Sequence, residues 1–139
     1  MSQSAPKVPW ISMIIAGIAA FIIAFIVTFL SVTGYAMILA FQARGAPDPA
    51  QINAFANQVA PLLSPLLLTL LVIFAAHFVV SRSEAPRVWY GALVGIIAAV
   101  PTAIFARSLT LIEVISLVLP VVGGVLGAYL ATRPQRVSQ

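Results

Sequence analysis

Residues 10–30 read WISMIIAGIAAFIIAFIVTFL. No Asp, Glu, Lys or Arg interrupts this run, and it matches the ~20 apolar residues that a helix needs to cross a bilayer. Three further stretches have the same character: Leu62–Val80, Val88–Ala106 and Leu111–Ala131. Of the 139 residues, 62% are hydrophobic and only 7% are charged. A soluble domain carries about 25% charged residues, and a small globule cannot bury such an apolar excess. Lipid is the alternative solvent. The sequence therefore predicts an all-α integral membrane protein with four transmembrane helices in two hairpins.

The segments divide as follows. Residues 1–9 form a polar N-terminal tail. The first helix with its extension covers 10–44, and an outer helix continuous with the second span covers 49–81. The third span covers 87–107, the fourth 110–132, and 133–139 form a C-terminal tail. The first two helices are each about 50 Å long at 1.5 Å per residue, against a hydrocarbon core of ~30 Å. The first hairpin is thus expected to be longer than the second and to protrude on the outer side. Polar Gln51, Asn53, Asn57 and Gln58 fit that picture. The N-terminal apolar run is longer than that of a cleaved signal peptide, so it reads as a retained helix.

Local signals sharpen the boundaries. Gly45 reads as the residue that ends the first helix, with Arg44 in its last turn. Asp48 reads as an N-cap, with Pro49 at the first helical position and Gln51 three residues after the cap. Pro61 and Pro65 should interrupt or bend the second helix. Thr110-Leu111-Ile112-Glu113 has the spacing of a capping box.

Topology follows from the basic residues. Lys7, Arg82, Arg87, Arg133 and Arg136 fall on one side, and Arg44 and Arg107 on the other. That asymmetry predicts cytoplasmic N- and C-termini, and Trp10, Trp89, Tyr90 and Tyr129 lie at the same interface. The expected location is a bacterial plasma (inner) membrane. The net charge of +4 comes from helix ends, which is a topology pattern and not a nucleic-acid surface. Expected partners are the lipid bilayer and other membrane-protein chains or copies of itself.

Small residues recur at helical spacing. The fourth span has Gly123, Gly127 and Ala131, with Gly124 beside them. The third has Gly91, Gly95, Ala99, Thr102 and Ala106, and the first has Gly17, Ala20, Ala24, Thr28 and Ser31. In lipid, helices associate by close van der Waals contact, which small residues permit. The second span looks too bulky for this. The three stripes are expected to meet inside one bundle, or one of them to face another chain. Outside the lipid, Tyr35, Ile38, Leu39, Ile52, Phe55 and Val59 form a candidate partner surface.

Chemistry-bearing residues are sparse. There is no cysteine and there are three acidic residues and one histidine. No pair suited to acid–base or nucleophilic catalysis is apparent, and no metal-ligand spacing, so no enzymatic activity and no cofactor are expected. His77 is the one ionisable group within a span, a candidate ligand for haem or a chlorophyll-type pigment. Met13 lies at a similar depth and is a candidate second ligand. Pro120, close to Gly123 and Gly124, suggests a kinked fourth helix, which would suit a small channel or transporter. The leading expectation is a non-enzymatic protein that acts by helix packing, as an accessory or assembly subunit of a larger membrane complex or as a homo-oligomer.

Overall fold

The computed structural model describes residues 8–83, 87–105 and 110–133. The predicted tails up to Lys7 and from Pro134, most of the loop before Arg87, and the 106–109 turn lie outside the described residues. Four α-helices follow in chain order: α1 (Trp10–Ala43), α2 (Pro49–Ser81), α3 (Val88–Phe105) and α4 (Leu111–Thr132). Three of them, α1, α2 and α4, are long and apolar enough to cross a membrane. The third expected span is α3, with 18 described residues and an apolar part from Val88 to Ile104; the end expected at 106–107 lies outside the described residues.

Burial is sorted by size in a way that suits lipid. Within the bundle lie Met13, Ala20, Ala24, Val72, Ala76, Val80, Val94, Ala98 and Ala128. The outward faces carry the large side chains, among them Ile11, Phe25, Phe29, Phe41, Leu62, Phe74, Ile104 and Leu111. Burying these faces would stabilise a water-soluble fold by about 25 cal/mol per Å². The chain instead leaves them outward and puts small residues between its helices, as membrane bundles do. No polar or charged described residue is buried. Three hydroxyls inside the apolar runs are satisfied locally: Thr28 donates to the Ala24 carbonyl at 2.9 Å, Thr69 to Pro65 at 2.7 Å and Ser116 to Ile112 at 2.7 Å. In lipid no water would replace those bonds.

The tightest seam joins α3 to α4. A Cβ on Gly91 would collide with the Gly124 backbone and with Ala128, and one on Gly95 would meet the Pro120 carbonyl. The order of these contacts makes α3 and α4 antiparallel. On another face of α4, Gly123 receives Thr69 and Gly127 receives the backbone at Ile73, so α4 runs parallel to α2. The expectation that α2 is too bulky for a close seam is therefore corrected: the space is supplied wholly by α4. Gly17 of α1 packs on Val94 and Ile97 of α3, not on the α3 glycines. Helices α1 and α4 share no packing contact among the described residues. The stripes of α3 and α4 face each other, and Gly17, Gly91, Gly95, Gly123, Gly124 and Gly127 are all buried within this chain.

The helix ends depart from expectation in two places. The residue that closes α1 is Arg44, with φ 51° and ψ 31°, and no described glycine has a positive φ. Arg44 N–H donates to the Phe41 carbonyl and Gly45 N–H to that of Ala40, the two bonds of a Schellman motif. The sequence signal was displaced by one residue. Helix α2 is also continuous through Pro61 and Pro65, so neither ends it. Each proline removes one hydrogen bond to the carbonyl four residues earlier, and the rest of a long helix holds the register. At its start Asp48 caps as expected, but it accepts from Ala50 N–H at 2.9 Å and not from Gln51. The α4 capping box is present: Thr110 N–H donates to Glu113 at 3.0 Å, and Glu113 N–H donates back to the Thr110 hydroxyl at 3.4 Å.

Glycine substitutions should separate these roles. Gly91→Ala or Gly127→Ala is expected to lower stability in detergent by about 1–3 kcal/mol, the cost of overpacking a tight seam. Gly34 has nothing within 4 Å of a Cβ position, so Gly34→Ala should leave stability unchanged or raise it by up to about 1 kcal/mol. Thermal unfolding of the three variants checks both signs. Arg44→Gly should likewise stabilise, because a left-handed conformation costs a non-glycine residue roughly 1–2 kcal/mol.

Candidate functional site

The bundle has a tight end and an open end. At the tight end Trp10 of α1 meets Trp89 of α3, ring centroids 6.3 Å apart, and Trp89 meets Tyr90 at 4.5 Å. Arg82 covers the Phe78 ring at 3.9 Å, and Arg133 covers that of Tyr129 at 4.8 Å. Of the residues read from sequence as one interface, Trp10, Trp89, Tyr90, Tyr129, Arg82 and Arg133 therefore gather at one end of the described structure, while Lys7 and Arg136 lie outside the described residues. Here the glycine seams hold α3 and α4 together.

Toward the other end the glycines give way to prolines. Pro61 and Pro65 lie in α2, Pro101 in α3 and Pro120 in α4. Pro61 and Pro65 line a cavity of about 780 Å³. All four helices line it: Phe21 and Phe25 from α1, Pro61, Ser64 and Pro65 among the α2 residues, Thr102 from α3, and Glu113, Ser116 and Leu117 from α4. The walls are mainly apolar. The polar groups are three hydroxyls and one carboxylate, a composition typical of small-molecule sites. Phe21 and Phe25 stack with centroids 6.4 Å apart and planes 23° from parallel. Among the described residues, no basic side chain lines the cavity.

Local sequence explains why Glu113 is held there. It is the third residue of α4, and the capping box ties its carboxylate to the Thr110 N–H. An acidic group in a first helical turn also interacts favourably with the helix dipole. Ser64 and Thr102 hydroxyls have no hydrogen-bond partner among the described residues. Arg107, six residues before Glu113 in the sequence, lies outside the described residues.

A second, smaller groove of about 400 Å³ lies between α1 and α2 at the tight end, lined by Pro9, Ser12, Ala16, Phe78, Val79 and Arg82 among others.

The site residues expected from sequence are distributed differently. His77 is exposed on the outward side of α2, whereas Met13 is fully buried. The two do not converge on a common space, and His77 lines neither cavity. No group of three or more potential metal ligands occurs among the described residues. Of the expected partner surface, Tyr35 and Phe55 stack on each other with centroids 3.9 Å apart, and Leu39, Ile52 and Val59 are half-buried with them. Ile38 is the exposed member, beside Met37 and Phe41. Sequence reading explained Glu113 chiefly by its capping role and did not single out Phe21, Phe25, Ser64, Thr102 or Ser116 as site residues. A signal was available in the matched heights of the prolines on neighbouring helices.

Comparisons with protein families, with curated proteins and with solved structures found no match. The geometry alone must carry the functional reading.

Two substitutions test this account. His77→Ala should leave the thermal midpoint within measurement error, because the side chain is exposed and makes no described hydrogen bond. Thr110→Ala removes one side of the α4 capping box and should cost about 1 kcal/mol; Glu113→Gln, which retains a capping side chain, should cost less.

Proposed function

We propose that this chain is a non-enzymatic membrane subunit. It works by joining another membrane-protein chain, or copies of itself, into a larger complex. The observation that carries this reading is the unequal height of the helices. Helix α1 has 34 residues and α2 has 33, against 18 in α3 and 22 in α4. With Trp10 and Trp89 level at the tight end, α1 continues about four turns beyond α3. Read in a bilayer, α1–α2 is a tall hairpin and α3–α4 a short one.

The tall hairpin then emerges on the outer side, and the arginine-bearing tight end faces the cytoplasm with both termini. A bacterial inner membrane suits that arrangement. Beyond the ends of α3 and α4, Tyr35 and Phe55 stack within the hairpin, while Met37, Ile38 and Phe41 stay exposed, Phe41 at 83%. Large apolar side chains above the lipid favour a protein neighbour. The small-residue seams do not contribute to this surface, since the chain's own helices occupy them.

A second reading is a small carrier or channel, favoured by the cavity at the open end. Its original focus on Pro120, Gly123 and Gly124 moves toward Glu113, because those three residues are buried in close helix contact. A third reading, pigment or haem held through His77, has no described pocket in its support. An absorption band in the purified protein that disappears in His77→Ala would revive it.

The leading proposal is tested by light scattering after mild extraction. The particle is expected to exceed one 14.7 kDa chain plus bound detergent, and the excess to fall in a Met37→Ser/Phe41→Ser double variant. A monodisperse single chain, extracted from membranes where no other chain is cross-linked to it, overturns the proposal.

A further inference from the structure

We infer that the open-end cavity binds uncharged lipophilic molecules that carry an aromatic ring and a hydroxyl group. Binding there is separate from assembly through the tall hairpin, and either can fail while the other stands.

Two hydroxyls on the cavity wall carry this assignment. A Ser or Thr inside a helix commonly donates to the carbonyl four residues earlier. Thr28, Ser31, Thr33, Thr69 and Ser116 all do so, at 2.7–3.0 Å. Ser64 and Thr102 do not: their hydroxyls have no hydrogen-bond partner among the described residues. Both residues are half-buried, on two different helices, and both line the cavity. Hydrocarbon offers no replacement bond, and a hydroxyl left unpaired in apolar surroundings carries a desolvation cost. A guest hydroxyl removes that cost, because it donates and accepts at once.

Prolines extend the polar part of the wall. Pro65 and Pro120 have no N–H, so the carbonyls of Pro61 and Ser116, four residues earlier, lack their usual helix donor. Pro61 and Ser116 also line the cavity. A carbonyl only accepts, so it favours a guest with an O–H over one that bears acceptors alone.

The remaining lining sets the body of the guest. It is mainly apolar, and about 780 Å³ falls within the roughly 300–1,000 Å³ that holds a small organic molecule. Phe21 and Phe25 stack with their planes 23° from parallel, and aromatic rings pack favourably on a further ring, offset or edge to face. Glu113 is engaged at the Thr110 cap, and selection of an uncharged guest does not draw on its charge.

Thymol and p-cymene test this site, since they differ only by the hydroxyl. Each is titrated into the full chain in neutral detergent at matched mole fractions in the micelle, and affinity is read from the rise in thermal midpoint. Thymol is expected to bind at least about tenfold more tightly than p-cymene, a preference of about 1.4 kcal/mol. Ser64→Ala with Thr102→Val removes both hydroxyls at nearly constant shape. The double variant should keep or raise the midpoint without probe, because those hydroxyls make no bond, and should erase most of the preference. Phe21→Leu with Phe25→Leu should weaken the binding of both probes. Equal affinity for thymol and p-cymene overturns the inference and marks the cavity as an unselective apolar space filled by lipid. Absence of thymol binding, or a preference that survives loss of both hydroxyls, overturns it as well.

Discussion

Backbone-to-backbone contact between Gly91 and Gly124 is the constraint on which the bundle depends. In lipid the hydrophobic effect does not draw one apolar helix to another, so association needs close packing. Glycine permits that approach because it presents no Cβ. At the Gly91–Gly124 and Gly127–Ile73 contacts any larger side chain would meet backbone, which cannot move aside. Helix α4 is the common member of these seams. It meets α3 with one face and α2 with another, and α1 is held to the group through α2 and α3.

The close end in turn defines the open one. Helices held together near Gly124 and Gly127 need not remain so near Ser116 and Glu113, where prolines replace glycines in the neighbouring turns. The cavity follows from that change of composition along the helix axis. It also explains how one acidic side chain is accommodated beside an apolar interior. Glu113 sits in the first turn of α4, hydrogen-bonded by its own capping box, at the mouth of a space and not within the packed seam. The proposed partner surface is formed by the α1 and α2 turns that outrun the shorter pair.

Much of this was legible in the chain. Four apolar runs, an Asp48-Pro49 helix start and the Thr110–Glu113 box are local features, decided by residues within one or two turns of each other. The structure bears out the four helices and both caps. Arg44 shows the limit of local reading. A glycine at position 45 is the better residue for a left-handed cap, yet hydrogen bonds to Ala40 and Phe41 place that conformation one residue earlier. The continuity of α2 shows the same limit, since a proline's lost hydrogen bond is local while the helix that absorbs it is long.

Sequence by itself determined the solvent, the number of helices and the residues able to come close. Those properties follow from side-chain size, polarity and 3.6-residue spacing, all written along one dimension. Tertiary structure decided which small face meets which helix. It seated bulky α2 residues on Gly123 and Gly127, sent Gly17 to Val94 and Ile97, turned His77 outward and gathered Phe21, Phe25, Ser64, Thr102 and Glu113 around one space. The physical reason is that contacts between helices depend on rotation about each axis and on relative height. Those quantities come from the mutual fit of all four helices and from no single segment.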